Sequence, residues 1–316
     1  MKKLRICYNK FKINGGKFIM VDLSKLTTER RNPRTMELDT FSALEIATVM
    51  NSEDNNVVKG VEEVLPEIAQ AITWAAEALA QGGRIIYIGA GTSGRLGLLD
   101  AVECPPTFGV SFEKVIGLLA GGERAFIKAV EGAEDKRELG VEDLKNVNCC
   151  NKDVVIGLAA SGRTPYVIGA LEYANELGCN TVAVACNKGS KIGQAAKLAI
   201  EPNNGPEVLT GSTRLKSGTS QKMICNMITT GSMILNGKVY QNLMVDVMQT
   251  NEKLVTRAEN IIMEATGCDR ETAQKARVES NGRVKVAVVM VLLGCTVDEA
   301  VAKLEANEGK VRKAIA

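Results

Sequence analysis

Short runs of apolar, β-branched residues recur along the first two thirds of the chain, and each run ends in glycine or another small or turn-forming residue. Helical patterns separate these runs; residues 165–177, for example, carry apolar side chains at three- and four-residue spacing. Continuous apolar strands that alternate with helices are typical of a parallel sheet covered on both faces. The pattern therefore predicts an α/β fold with a doubly wound parallel five-stranded sheet, its strands lying within residues 84–91, 114–122, 153–162, 180–187 and, more weakly, 198–203.

Helical periodicity surrounds the predicted sheet on both sides. Residues 39–81 hold two helical patterns, the second spanning roughly 57–80, and a methionine-rich helical pattern covers residues 214–236. The last stretch of the chain has the periodicity of three or four short helices and no strand pattern. We therefore divide the chain into a non-native or disordered extension at residues 1–20, an α/β domain with N-terminal helices at 21–250, and a small helical domain at 251–316.

The expectation for the first residues rests on their charge. Residues 1–19 carry six basic side chains and no acidic one, and they lack the continuous apolar stretch of a signal peptide. We take Met20 as a candidate start of the native chain.

Composition and charge narrow the classes of function. Of 316 residues, 39 are Lys or Arg and 37 are Asp or Glu, so the net charge of +2 gives no reason to expect a nucleic-acid or membrane partner. The longest apolar run, at 286–294, is shorter than the roughly 20 residues that span a bilayer. Nine scattered cysteines without a CxxC pair indicate reduced thiols, and hence a cytoplasmic protein.

The chain contains no histidine. This absence excludes a Ser-His-Asp or Cys-His nucleophile, a histidine-ligated zinc and a histidine general base. An enzyme built from this chain must therefore transfer protons with Glu or Asp, or less commonly with Lys, Tyr or Cys.

Three loops rich in glycine and hydroxyl side chains follow the predicted strands. The first contains Thr92, Ser93, Gly94 and Arg95, the second Ser161, Gly162, Arg163 and Thr164, and the third Ser212, Thr213, Lys216, Ser217 and Thr219. We expect each loop to place hydroxyls and free backbone N–H groups at the start of a helix, where the helix dipole favours an anion. Any one such loop is more often an ordinary helix cap, but three at one sheet edge predict a shared phosphate ligand.

Gly89, Gly91 and Gly94 also spell G-x-G-x-x-G, the pattern of a dinucleotide-binding loop. That function needs a carboxylate at the end of the second strand to bind the ribose, and Glu123 is the candidate. Hydroxyls occupy variable positions of the loop, and the chain has no histidine to handle a hydride-transfer alcohol. A lone G-x-G-x-x-G is weak evidence, so we favour the phosphate-binding interpretation.

Five stretches of the sequence resemble one known family. They are IGAGTSGRLGLLDAVECPPTFG (88–109), AGGERAFIKAVEGAED (120–135), GLAASGRTPYVIGALEYANELGC (157–179), TGSTRLKSGTSQKMICNM (210–227) and NLMVDVMQTNEKL (242–254). The chain is similar to proteins with the sugar-isomerase phosphosugar-binding fold. More closely, it resembles the N-acetylmuramic acid 6-phosphate etherase family over roughly residues 22–300. The ECPPT and VEGAED segments are more specific than the loops that the whole fold shares.

The resemblance implies a lyase that acts on the ether between D-lactate and C3 of the amino sugar, in cell-wall sugar recycling. The implied products are N-acetylglucosamine 6-phosphate and D-lactate. The implied mechanism removes the C2 proton of the ring-opened sugar, expels lactate from C3 and adds water, without a metal or organic cofactor. Such an elimination needs a base at C2 and an acid at C3, and carboxylates in different environments can supply both.

By the same resemblance, Glu103 of ECPPT is the proton donor to the leaving lactate, and Glu134 of EGAED is the second catalytic carboxylate, the C2 base. The residues alone leave both roles open. Glu103 has the ordinary interpretation of an exposed loop acid or cap, although Pro105–Pro106 restrict the backbone beside it. Glu134 lies in an acidic stretch, residues 131–138, whose ordinary interpretation is a solvated helix face.

The resemblance also implies a homodimer with its sites near the interface, and a C-terminal region similar to a three-helix ubiquitin-associated fold. The phosphorylated amino sugar would bind to the three loops, with Lys216 or Arg214 adding positive charge or lying at the surface.

Two other functions fit the same fold. A non-catalytic phosphosugar sensor, similar to the glucokinase regulatory protein, would bind a sugar phosphate and a partner enzyme. The ECPPT and EGAED carboxylates and the single phosphosugar domain disfavour that function. An aldose–ketose phosphosugar isomerase would also remove the C2 proton, but it needs no separate acid at C3, so lactate release distinguishes it from a lyase.

Overall fold

The computed structural model describes residues 26–128, 130–249 and 251–316. The extension predicted at residues 1–20 lies outside these ranges. The helices of the N-terminal and central parts are α1 (Ala43–Glu62), α2 (Leu65–Ala80), α3 (Gly91–Phe108), α4 (Arg124–Ile127), α5 (Arg137–Asn146), α6 (Pro165–Glu176), α7 (Lys191–Ala195) and α8 (Lys216–Leu235). The strands are β1 (Ile85–Gly89), β2 (Val115–Leu119), β3 (Val154–Leu158), β4 (Asn180–Val184), β5 (Leu198–Ile200), β6 (Val239–Tyr240) and β7 (Leu243–Met244).

The central element is a five-stranded parallel sheet with the strand order β2-β1-β3-β4-β5. Ile85 of β1 pairs in register with Val115 of β2 on one side and with Val154 of β3 on the other. All residues of β1 and β3 are buried, which explains why each strand is an unbroken apolar run in the sequence. The predicted doubly wound parallel sheet is confirmed.

Helices cover both faces of this sheet. Ile85 and Tyr87 belong to the core beneath α1, α2, α3 and α8, and Ile86 and Ile88 belong to the core beneath α5, α6 and α7. Alternate residues of a strand point to opposite faces, so one short strand contributes to both cores. The helices α3 and α6 start at the carboxyl ends of β1 and β3, which is the edge where ligands bind in such sheets.

The boundary between the first two helices differs from the prediction. The pattern at 57–80 predicts one helix, whereas α1 ends at Glu62 and α2 begins at Leu65. Pro66 lies in the first turn of α2, where its missing N–H removes no helical hydrogen bond. In the interior of one long helix it would remove such a bond, so the chain breaks just before it.

Residues 251–316, all of which the structure describes, form five short helices, one more than the upper end of the prediction. They are α9 (Glu252–Thr266), α10 (Arg270–Glu279), α11 (Val284–Leu293), α12 (Val297–Ala306) and α13 (Val311–Ala314). Their apolar core also includes Tyr240, Val245 and Val247. The segment before residue 250 therefore packs with the helical region, and the domain boundary at 250 stays a prediction.

The segment that leads into the helical region also contacts the end of α3. Met248 N donates to Pro106 O at 3.5 Å. A β-carbon at Gly109, which ends α3 with a φ of +61°, would lie 2.5 Å from Asp246 O. This close approach requires glycine. Among the described residues, no helix is long and apolar enough to cross a membrane.

Candidate functional site

The loop after β1 turns the chain directly into α3. Gly91 adopts a left-handed φ of +54°, and a side chain at Gly94 would bring its β-carbon within 2.6 Å of Gly89 O. Glycine at these two positions lets the helix start against the end of the strand. The G-x-G-x-x-G pattern thus has a packing origin, and it leaves Gly91 exposed and Thr92 half-buried at the N-terminus of α3.

Ser93 and Arg95, both predicted to bind the phosphosugar, make contacts within the protein. The buried Ser93 Oγ donates to Gln221 Oε1 at 2.7 Å. The Arg95 guanidinium donates to two carbonyl oxygens of α4, 2.7 and 2.8 Å away. Ser93 therefore joins α3 to α8, and Arg95 holds α4 beside the first loop.

The second loop, Ser161–Thr164, leads from β3 into α6, and Asn187 holds its backbone. Asn187 Nδ2 donates to Ala160 O and Ser161 O at 3.3 and 3.4 Å, while Asn187 Oδ1 accepts from Thr27 N at 2.8 Å. Sequence analysis missed Asn187, because only the fold brings it against this loop and the N-terminal segment. Apart from the buried Gly162, the loop residues are half-buried at the edge of the sheet.

At the third loop, a carboxylate of the protein itself binds the backbone N–H groups at the start of α8. The buried Glu207 carboxylate accepts from Lys216 N and Ser217 N at 3.0 and 2.9 Å, in the first turn of α8, where the helix dipole favours negative charge. The Lys216 ammonium forms an ion pair with Glu53 Oε2 at 2.6 Å, and the two side chains are 1% and 5% exposed. Lys216 therefore joins α8 to α1, and sequence analysis missed both of the acids that bind it.

The exposed rim of the third loop lies next to the first loop. Ser212 and Thr213 are half-buried, whereas Thr219 is exposed and its hydroxyl donates to a backbone carbonyl at 3.1 Å. A β-carbon at Gly218 would lie 3.6 Å from Thr213 O and 3.7 Å from Thr92 Cγ2. The fold thus brings the first and third loops together, as the sequence pattern predicts for a shared ligand.

Glu134 lines a cavity of about 170 Å³ beside the start of α3. Gly91, Arg95 and Glu131 also line it. The backbone carbonyl of Glu134 accepts from Tyr166 N at 3.0 Å, which ties this segment to the first turn of α6. The exposed Glu134 side chain is therefore next to the first loop. Within the described ranges, no group of three or more Cys, Asp or Glu side chains could hold a metal ion.

Glu103 lies within α3 and not on a loop. The helix continues through Pro105 and Pro106 to Phe108, and the N–H of the capping residue Gly109 donates to Pro105 O at 2.9 Å. The two prolines therefore do not end the helix, because the left-handed glycine ends it three residues later. The exposed Glu103 side chain lines a groove of about 340 Å³ between α3 and α8.

The two predicted catalytic carboxylates lie near opposite ends of α3. Glu103 follows Gly91 by twelve residues. A rise of 1.5 Å per residue therefore places it roughly 18 Å along the helix from the end that Glu134 approaches. An acid and a base that act on neighbouring carbons must each come within about 3 Å of the proton they transfer. Within one chain, Glu103 and Glu134 therefore line separate cavities at different positions along α3.

Two family models match the central part of the chain. Residues 67–175 match the glucokinase regulatory protein N-terminal SIS domain. Residues 141–231 match the SIS domain. These matches contain the sheet and all three loops.

Comparison with curated proteins finds relatives over almost the whole chain. The chain is 56% identical over 297 residues to an N-acetylmuramic acid 6-phosphate etherase of Vibrio cholerae, which covers 94% of this chain and 97% of that protein. It is 57% identical to an etherase of the same name from Exiguobacterium, covering 93% of this chain and 100% of that one. Among solved structures, it is similar to a phosphoheptose isomerase from Francisella tularensis, with a TM-score of 0.45, 16% identity and coverage of 60% and 100%.

Proposed function

The chain belongs to the N-acetylmuramic acid 6-phosphate etherase family, and from this premise we propose how its own residues carry out the reaction. It is a carbon–oxygen lyase that cleaves the D-lactyl ether of N-acetylmuramic acid 6-phosphate by elimination of lactate and addition of water. The products are N-acetylglucosamine 6-phosphate and D-lactate, which places the reaction in cell-wall amino-sugar recycling.

The observation that carries the proposal for the site is the cavity in which Glu134 lies beside the N-terminus of α3. The sugar phosphate binds along the rim formed by Gly91, Thr92 and the loops at 161–164 and 212–213. There the helix N-termini offer N–H groups and positive dipole ends. Of the other residues predicted to bind the phosphosugar, Gly94 packs against β1. Buried partners within the protein bind Ser93, Lys216 and Ser217, and these contacts hold the loops in position.

Glu134 is the base in this proposal. The open-chain aldehyde at C1 makes the C2 proton acidic, and Glu134 removes it. The C3–O bond to lactate then breaks, with the electron pair leaving on the lactate oxygen and a proton arriving from Glu103. Water adds to C3 of the unsaturated intermediate and C2 regains a proton, so the sugar gains the hydroxyl that the ether held. Each carboxylate contributes on the order of 10²–10⁴-fold in rate.

The acid comes from a second copy of the chain in this proposal. The roughly 18 Å along α3 exclude the same chain's Glu103 from the cavity that its Glu134 lines. In a two-fold symmetric dimer each chain would lend its Glu103 to the other chain's cavity. Leu99 and Val102, on the same helix as Glu103, are 44% and 46% exposed and would be covered in such a dimer.

A cytoplasmic location accords with this function. All eight cysteines within the described ranges are free thiols, which agrees with a reducing compartment.

Incubation with N-acetylmuramic acid 6-phosphate in deuterated water tests the proposal. We expect release of D-lactate and deuterium at C2 of the product. Glu134→Gln should lose both lactate release and C2 exchange, whereas Glu103→Gln should keep C2 exchange and lose release. Binding of the sugar phosphate without lactate release by the unmodified protein would refute the lyase and favour a phosphosugar sensor.

A further inference from the structure

A polar cluster lies in the groove between α3 and α8 that Glu103 lines. With the Asn226 amide oriented so that donors face acceptors, its Nδ2 lies 3.0 Å from Asp100 Oδ1 and its Oδ1 lies 2.6 Å from Lys222 Nζ. Lys222 thus donates to Asn226, and Asn226 donates to Asp100. The ammonium of the exposed Lys222 is held at the groove by an amide that is itself anchored on a carboxylate.

The half-buried Asp100 forms the inner end of this cluster. Its Oδ2 is shielded from solvent and has no partner at hydrogen-bond geometry. Burial raises the pKa of Asp100, and the hydroxyls of Thr229 and Tyr87 and the charge of Lys222 offset the rise in part. The cluster therefore combines one half-buried acid with one accessible cation, joined by a neutral amide.

We propose that Lys222 binds the carboxylate of the lactyl group while the ether oxygen of that group approaches Glu103. This inference rests on the function proposed above. In a lactyl ether, the ether oxygen and the carboxylate are bonded to the same carbon. An ether oxygen within hydrogen-bond reach of Glu103 therefore brings the carboxylate into the groove.

Charge explains why the groove needs Lys222 for this purpose. The Asp100 carboxylate lines the groove and would repel an entering carboxylate, whereas Glu103 enters the proposed reaction protonated and carries no charge. Lys222 is the cation among the described residues that line it. A charge-assisted hydrogen bond from its ammonium to the lactyl carboxylate would offset that repulsion.

Lys222 has a binding and specificity role in this proposal and transfers no proton. It would bind the lactyl carboxylate before the C3–O bond breaks and the lactate carboxylate afterwards. It would also distinguish the substrate from N-acetylglucosamine 6-phosphate, which has no carboxylate at C3. Because the groove belongs to the chain that supplies Glu103, the same partner chain would supply both the acid and the carboxylate contact.

A neutral substrate analogue tests this role. The assay compares kcat/KM for N-acetylmuramic acid 6-phosphate with kcat/KM for the derivative whose lactyl carboxylate is a primary amide. The unmodified enzyme should prefer the acid by about 10- to 100-fold, the range for one hydrogen bond to a charged group. Lys222→Met should reduce that preference to within about threefold, and Lys222→Arg should keep most of it. Lys152→Met, which removes an exposed lysine outside the groove, should keep the full preference.

The outcomes separate this inference from the function on which it rests. Loss of the acid preference in Lys222→Met, with the amide still cleaved, supports the carboxylate contact. If Lys222→Met cleaves both compounds more slowly but keeps the acid-to-amide ratio of kcat/KM that the unmodified enzyme has, the inference is overturned. A merely structural lysine would affect both substrates equally. If the unmodified protein cleaves neither compound, the proposed function itself fails and the inference falls with it.

Discussion

Mixing two inactive variants tests whether the active site is shared between subunits. Glu103→Gln and Glu134→Gln each keep the shape of the side chain but remove one proton-transferring carboxylate. Each variant alone should lose about 10²–10⁴-fold in the rate of lactate release. The mixture should recover activity only if each site takes one carboxylate from each chain.

The expected recovery follows from the geometry. Because roughly 18 Å of α3 separates Glu103 from its own chain's cavity, a heterodimer of the two variants contains one site with both natural carboxylates and one site with neither. Random exchange of equal amounts makes about half of the dimers heterodimers, so about a quarter of all sites are intact. The mixture should therefore show about a quarter of the unmodified activity.

The assay is lactate release after subunit exchange in mild urea, followed by dilution. Native mass spectrometry of differently tagged chains measures the fraction of heterodimers. A mixture of the unmodified chain with the double variant Glu103→Gln/Glu134→Gln is the matched control. Shared sites predict about a quarter of full activity for this control, and sites within one chain predict about a half.

Two results would refute the reasoning. One is a mixture of the two single variants that releases lactate no faster than the variants do separately, although heterodimers have formed. The other is a control mixture that shows half of full activity. Either result would mean that Glu103 and Glu134 of one chain act together, and that α3 must rearrange to bring them together.

Three further predictions concern residues that the fold binds internally. Ser93→Ala should lower the free energy of unfolding in urea by about 1–3 kcal/mol, because Gln221 Oε1 loses its buried donor. The KM should stay nearly unchanged, and a large rise in KM without loss of stability would contradict this prediction. Lys216→Met should lower the free energy of unfolding by about 3–5 kcal/mol, because the buried Glu53 carboxylate loses its ammonium partner. A decrease of less than about 1 kcal/mol would argue against the ion pair. Burial acts to raise the pKa of Glu53, but hydrogen bonds from Lys216 and Asn32 lower it overall. Its contribution to stability should therefore be complete above the unfolded pKa of about 4.3 and be lost as the pH falls through the lower folded value. The test measures the free energy of unfolding in urea for the unmodified protein and for Glu53→Gln from pH 7 to pH 3. The difference between them should shrink at the acidic end. A constant difference would contradict the expected direction of the pH dependence.

The strands were predictable because the signal for them is local. A buried parallel strand is apolar on both faces, and the runs at 84–91 and 153–162 contain β1 and β3 as expected. The start of α2 was less predictable, because apolar periodicity continues across the break and only Pro66 marks it. Pro105 and Pro106 were expected to restrict the backbone beside Glu103, and Glu103 lies in a helix that a glycine ends later.

The partners of the predicted binding residues were not predictable. Ser93 was expected to bind a ligand, and its partner Gln221 is 128 residues away in the chain. Lys216 was expected to add charge to the site, and its partner Glu53 is 163 residues away. A hydroxyl or an ammonium in a loop has the same local pattern whether it binds a ligand or a distant part of the protein.

The sequence by itself determined the class of the sheet, the positions of the three loops, and the restriction of proton transfer to residues other than histidine. Each of these follows from neighbouring residues or from composition. Only the tertiary structure decided which loop residues have buried partners and that Glu103 lies roughly 18 Å along α3 from the end near Glu134. The physical reason is that burial and distance depend on contacts between segments far apart in the chain, and no local periodicity records those contacts.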